Sequence, residues 1–278
     1  MIAGILNHAT GSLTGVVDTP RLDAEVLLAH LLGTERGGLI AREDDSITTD
    51  LQRTYDTLIE RRRGGEPLAY ILGYRDFWTL RLEVNAHVLV PRPETELLVE
   101  LALGHLRGTA RPTVLDLGTG SGAIGLAIAA ERPDARVMLA DASPEALAVA
   151  GRNRARLRCD TVTLHQSDWF NGLPVEAFDV IVSNPPYLGD QDPHLQDPAL
   201  RREPPMALVS GTSGLEALAL IAATAGSRLA AGGALFLEHG ATQGEAVRGL
   251  LSGAGFRAVT THRDLAGLER ATGGLRQD

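Results

Sequence analysis

The 278-residue chain predicts an α/β protein, in which a small helical domain precedes a mostly parallel sheet covered by helices on both faces. Three observations carry that prediction. Apolar residues recur at helical spacing up to about residue 73. Strand and helix patterns alternate from Thr113 onward, and a glycine-rich turn joins the first of those strands to a helix starting near Ala123.

Within residues 1–73, Leu22, Val26, Leu27 and Leu31, then Leu51, Tyr55, Leu58 and Ile59, repeat every three or four positions and mark helices of a small bundle. Gly64-Gly65-Glu66-Pro67 breaks the pattern. Phe77 to Val84 then alternates apolar with polar, and His87-Val88-Leu89-Val90 follows Asn85, so residues 74–90 are expected as a β-hairpin linker. Pro91-Arg92-Pro93-Glu94-Thr95-Glu96 reads as a helix start, with proline at the first helical position and acids in the first turn. Strands are expected near 113–117, 136–141, 161–165, 178–183, 234–238 and 256–261. Ser143-Pro144 caps the helix after Asp141, and Ser213-x-x-Glu216 has the spacing of a capping box.

Composition narrows the chemistry. All 26 basic residues are arginine, which removes Schiff-base catalysis, pyridoxal phosphate and a Walker A lysine together. A net charge of −9 argues against a protein that lives on nucleic-acid phosphates. The remaining basic patches are Arg61-Arg62-Arg63 and the alternating Arg152, Arg154, Arg156 and Arg158, the latter read as a helix C-terminus whose dipole favours cations. Cys159 stands alone, so neither an intramolecular disulfide nor a thiolate metal cluster is available. No apolar run has membrane-spanning length and Met1 to His8 lacks a basic signal-peptide region, so a cytoplasmic location is expected.

Val114-Leu115-Asp116-Leu117-Gly118-Thr119-Gly120-Ser121-Gly122-Ala123-Ile124-Gly125 has the form of a nucleotide-binding strand, turn and helix. Glycines let backbone approach a ligand, and the helix N-terminus presents free N–H groups. Asp141 lies where a ribose-binding acid is expected, so Gly118, Thr119, Gly120, Ser121, Gly122 and Asp141 are candidate cofactor residues. On this evidence alone a nicotinamide dehydrogenase competes.

Asn184-Pro185-Pro186-Tyr187 directly follows the apolar run 178–183 and points elsewhere. A site that methylates a planar NH2 group, whose lone pair is delocalised, must hold that group in line with the leaving group. Prolines constrain the backbone and contribute no N–H, which leaves the Asn184 side-chain oxygen and the Pro185 carbonyl to accept the substrate's N–H groups, with the Tyr187 ring against its flat face. S-adenosylmethionine, a single nucleoside bearing a sulfonium, suits both this motif and the glycine turn. Asp168-Trp169-Phe170 follows another strand; Trp169 can pack on an adenine while Asp168 accepts from its exocyclic amine. Asp190-x-Asp192-x-His194 is interrupted by Pro193 and Pro198 and carries Arg201 where a calcium loop needs its last acid, so it reads as a polar loop. Glu238-His239-Gly240 ends a strand at the same edge, where a structural role is expected.

Together these residues make the chain resemble the bacterial peptide chain release factor glutamine methyltransferases, the protein-(glutamine-N5) methyltransferase family, over nearly its whole length. The likeness includes Arg62-Arg63, Gly65-Glu66-Pro67-Leu68-Ala69-Tyr70-Ile71-Leu72-Gly73, Phe77-Trp78, residues 91–96, 116–124 and 168–170, Ser183 to Tyr187, and Glu238-His239-Gly240. Asn-Pro-Pro-Tyr is shared with adenine and cytosine amino methyltransferases; the combination with the 65–73 segment is more specific. Ser167 stands where the family usually has glycine before Asp-Trp.

The resemblance implies a Rossmann-like class I S-adenosylmethionine-dependent methyltransferase fold over 91–278 and a helical domain, 1–73, that docks release factors. It implies methylation of the glutamine in the Gly-Gly-Gln loop of class I release factors, modulating translation termination, with S-adenosyl-L-homocysteine as product, no metal, and no nucleic-acid or membrane partner. Gly118 to Gly122, Asp141, Trp169 and Asn184 would contact the donor, and Asn184, Pro185, Pro186 and Tyr187 the glutamine. An adenine amino methyltransferase acting on DNA or RNA, and a non-enzymatic adenosylmethionine-binding escort, are the alternatives.

Overall fold

The computed structural model describes residues 1–277. Two compact units emerge: Met1–Tyr74 together with Gln196–Arg202, and Arg75–Leu195 together with the chain from Glu203 onward.

The first unit holds α1 (Ile2–Leu13), α2 (Pro20–Leu31), α3 (Arg36–Ile40), α4 (Thr49–Arg63) and α5 (Leu68–Leu72). Ile2, Leu6, Leu13, Leu27, Leu28, Tyr55 and Ile59 make its core, and the Tyr55 hydroxyl donates to the Ala24 carbonyl at 2.9 Å. The buried stripe of α2 runs through Ala24, Leu27 and Leu28, which leaves Leu22 exposed despite its helical spacing. Arg62 meets the buried Asp23 at 2.7 Å, Arg61 pairs with Glu66 and Arg63 with Glu60, so all three arginines of the 61–63 run are engaged by carboxylates of this unit. The 196–202 segment is tied in by Arg202, which donates to the Gly64 carbonyl at 3.0 Å. Gly65 has φ +85°, and a Cβ there would come within 3.2 Å of Pro198.

A two-stranded hairpin follows, β1 (Tyr74–Phe77) and β2 (Leu80–Glu83), which belongs to the second unit from Arg75 onward. Its turn contains Trp78 at φ 55°, which explains why continuous alternation through 77–84 misplaced the strands. The second strand expected at 87–90 is a turn instead. Val88 N–H donates to the Asn85 carbonyl and Val90 N–H to the Glu203 carboxylate, so these backbone groups have partners without a ladder. The apolar alternation there reflects burial of Val88 and Val90.

After a single 3-10 turn at Pro93–Thr95 come α6 (Glu96–His105), β3 (Thr113–Leu117), α7 (Ala123–Glu131), β4 (Arg136–Asp141), α8 (Pro144–Leu157), β5 (Val162–Gln166) and β6 (Phe178–Ser183). Then α9 (Glu216–Ala225), β7 (Leu229–Glu238), α10 (Gly244–Gly253), β8 (Arg257–Arg263) and β9 (Glu269–Leu275) complete the unit. Strand order is β5-β4-β3-β6-β7-β9-β8. The first five run parallel, while β9 is antiparallel to both β7 and β8. The side chains of α6, α7 and α8 cover one face, and those of α9 and α10 the other.

The sequence reading missed β9 because Gly273 and Gly274 depress strand propensity. They are there for space: a Cβ at Gly273 would sit 2.4 Å from the Phe236 ring and one at Gly274 2.9 Å from Phe256 Cβ. Ser143 caps α8 as expected, its hydroxyl accepting from Ala146 N–H at 3.0 Å. At α9 only half a capping box forms: Glu216 accepts from Ser213 N–H, but the Ser213 hydroxyl accepts from Leu215. Among the described residues no helix is long and apolar enough to cross a membrane.

Candidate active site

Sheet register builds the site. Leu117 lies opposite both Ala140 and Ser183, and Ser183 opposite Leu237. The next residues, Gly118, Asp141, Asn184 and Glu238, therefore stand in a row along the carboxyl edge, where the strand order reverses around β3 and a crevice opens. A cavity of ≈ 250 Å³ lies there, lined by Gly118 to Ser121, Asp141, Asp168, Trp169 and Asn184 to Pro186.

The glycine turn is held from beneath. Asp116 is fully buried; its Oδ2 accepts from the Thr119 hydroxyl at 2.6 Å and from Gly125 N–H at 2.9 Å, fixing the turn to the first turn of α7. Burial pushes its carboxyl up to about 6, against the opposing pull of these two donors. Gly118, Gly120 and Gly122 all have positive φ, which a glycine adopts without penalty. A Cβ on Gly120 would meet no protein atom within 4 Å, so backbone is bare where the cavity lies. Gly125 is fixed by packing, since a Cβ would fall 2.3 Å from Leu139. Asn153 on α8 donates to the Ser121 carbonyl and also bonds both backbone groups of Glu83, joining the glycine turn to the end of β2.

Asp141 uses one oxygen to accept from Gly120 N–H at 2.8 Å and the other from Ser143 N–H at 2.9 Å. A carboxylate has about four acceptor positions, so capacity remains for a ligand. Burial raises its pKa above the ordinary aspartate range.

Asp168 is exposed at the cavity wall, Trp169 half-buried, and Phe170 buried in the core. Trp169 has φ 51°, an uncommon backbone conformation for so large a residue, and its ring approaches the position a Gly118 Cβ would occupy at 3.8 Å. Ser167 is not among the residues with positive φ, so this backbone asks for no glycine there; its hydroxyl is buried without a partner among the described residues.

The Asn184 amide nitrogen donates to the Thr95 hydroxyl at 3.2 Å, and its Oδ1 has no protein partner among the described residues. Tyr187 does not line the cavity. Its ring packs against the core beneath α9 and α10, and burial, with Glu238 nearby, pushes its hydroxyl up to about 12. Pro185 and Pro186 separate the two.

Other cavity walls had no sequence signal. Residues 87–91 contribute one, anchored because Glu203, itself buried, accepts from Val90 N–H at 3.0 Å and from Arg92. Pro204, Met206 and Ala207 contribute another. His194 pairs with Asp192 at 2.7 Å in the polar loop. Among the described residues no group of three or more His, Cys, Asp or Glu side chains is arranged to hold a metal ion. His239 is structural, bonding the Gly240 carbonyl and the Thr272 hydroxyl.

Comparison with known proteins agrees with this geometry. Residues 4–73 match the family described as PrmC N-terminal domain, and residues 94–197 the Methyltransferase small domain. The chain is 48% identical over 254 residues to the release factor glutamine methyltransferase of Xylella fastidiosa strain Temecula1, covering 91% of this chain and 92% of the relative. To that of Burkholderia pseudomallei it is 49% identical over 259 residues, 91% of each. A methyltransferase structure from Pyrococcus furiosus shares the fold at 18% identity, with a TM-score of 0.53 over 81% of this chain and 98% of that one.

Proposed function

Because the chain belongs to the release factor glutamine methyltransferase family, we propose that it moves a methyl group from S-adenosylmethionine to a release-factor side chain, at the amide nitrogen of the glutamine in the Gly-Gly-Gln loop. The observation that carries this reading is one cavity lined both by the glycine turn with Asp141 and by Asn184 with Pro185. Donor-binding and amide-accepting groups thus face the same space.

The residues present fit that donor. Bare backbone at Gly120 and spare acceptor positions on Asp141 suit a nucleoside sugar, and Trp169 beside Gly118 suits its base, with Asp168 at the rim. The donor supplies an electrophilic methyl group on a sulfonium. Asn184 Oδ1 and the Pro185 carbonyl accept the two N–H groups of the glutamine amide, which aligns the nitrogen and stabilises positive charge as it forms. Pro186 stiffens this acceptor surface, and Tyr187 acts from behind, as packing under the motif. Residues 1–73 serve as the docking domain for a folded release factor and 91–278 as the transferase, while the 74–90 segment, expected as a linker, supplies part of the transferase's core and cavity wall.

Methylation of an adenine amino group on DNA or RNA is the weaker reading. Engagement of Arg61 to Arg63 by neighbouring carboxylates and the net charge of −9 weigh against binding a phosphate backbone. Tritium from labelled donor should appear in release factor; its appearance only in nucleic acid, or in neither, rejects the proposal.

A further inference from the structure

Glu238 was expected to be structural, yet its setting differs from that of its neighbour His239. It is 1% exposed, at the end of β7 beside Asn184, and its Oε2 has no hydrogen-bond partner among the described residues. The Thr95 hydroxyl lies beside its carboxyl and favours the ionised form. That same hydroxyl oxygen accepts from the Asn184 amide at 3.2 Å. A chain of donors thus runs from Asn184 through Thr95 to Glu238.

The direction of this chain matters. An ionised carboxylate only accepts, so Thr95 must donate to it, and the Thr95 oxygen is then left to accept. Asn184 must meet it with NH2, which leaves Oδ1 as the group available to a substrate amide. The opposite flip would present NH2 to a substrate NH2, donor against donor. We propose that Glu238 and Thr95 are positioning residues that lock the Asn184 amide with its oxygen available to the acceptor substrate. The inference rests on the transferase reading above.

Other charges face Glu238 from each side. Arg270 on β9 and Arg92 favour its ionised form; Glu94 and the burial itself oppose it, and Tyr187 lies close. Arg270 is also committed to Asp264 and the His239 carbonyl, at 3.2 and 3.4 Å. Burial dominates and pushes the Glu238 carboxyl up to about 7. Once protonated, Glu238 can donate to Thr95, and the lock loses its direction.

Native enzyme is first assayed with intact release factor, since failure there rejects the transferase reading rather than the lock. Given native transfer, Thr95→Val, which keeps shape and removes the hydroxyl, should lower kcat on the order of 10–10²-fold. The donor's KM should stay nearly constant, and Thr95→Ser should restore most of the rate. Native kcat should rise with pH through the neutral range, and Glu238→Gln, which can donate as well as accept, should be slower and flatten that rise. Native kcat in Thr95→Val, or an unchanged pH profile in Glu238→Gln, overturns the lock. If Glu238→Gln does not fold, the two Thr95 variants decide alone.

Discussion

The two halves of the carboxyl edge are built in opposite ways. On the donor side, Asp116, Thr119, Gly120, Gly125, Asp141 and Ser143 satisfy one another within 28 residues of sequence, and most of their bonds end on backbone. On the acceptor side, Thr95, Asn184 and Glu238 come from three separate segments and meet side chain to side chain. On the proposed reading, the first half is a locally built cradle for the nucleoside of the donor. On the same reading, reactivity is set in the second, where long-range packing aims a single amide.

If that division is sound, damage to the cradle should appear as lost stability and donor affinity, and damage to the acceptor side as lost rate. The largest effect is expected from Asp116→Ala, which orphans the Thr119 hydroxyl and the Gly125 N–H in a buried site; at roughly 1–3 kcal/mol for each stranded donor, denaturant unfolding should show a loss of about 2–5 kcal/mol. Gly125→Ala drives a methyl group into Leu139 and should destabilise by about 1–3 kcal/mol, read as a lower Tm. Asp141→Ala should leave the fold intact but weaken donor binding by about 1.5–3 kcal/mol in calorimetry, through loss of charge-assisted hydrogen bonds. The smallest effect belongs to Asp192→Ala in the polar loop: its pair with exposed His194 should be worth no more than about 0.5 kcal/mol, and transfer should persist. A large loss of donor affinity in Asp192→Ala would break the assignment of donor binding to the cradle.

The cradle was legible because each of its requirements is local. Glycine at fixed offsets, an acid at the next strand end and Ser-Pro at a helix start each have one dominant physical cause. Asn184 was legible for the same reason, as a side chain fixed by the prolines beside it. Its partners were not: Thr95 reads as one more residue of a helix start, and nothing in Glu238-His239-Gly240 reveals that one of two adjacent buried polar residues reaches Thr95 while the other is spent on Thr272. Tyr187 shows the limit of the motif: it stands next to Pro186 in the chain, yet it is partly buried against the core cluster and is not among the cavity-lining residues. In the fold, β9 and the 87–90 turn were misread where close approach of neighbours or a side-chain carboxylate replaced the usual strand signals.

The most direct test of the division uses one substitution and two readouts on the same preparation. Asn184→Ala removes the amide that Thr95 and Glu238 position and leaves the cradle's hydrogen bonds untouched, so donor affinity by calorimetry should fall only modestly, while methyl transfer to release factor falls on the order of 10²-fold or more. Native turnover in the folded variant, or donor affinity lost in proportion to rate, would contradict the account.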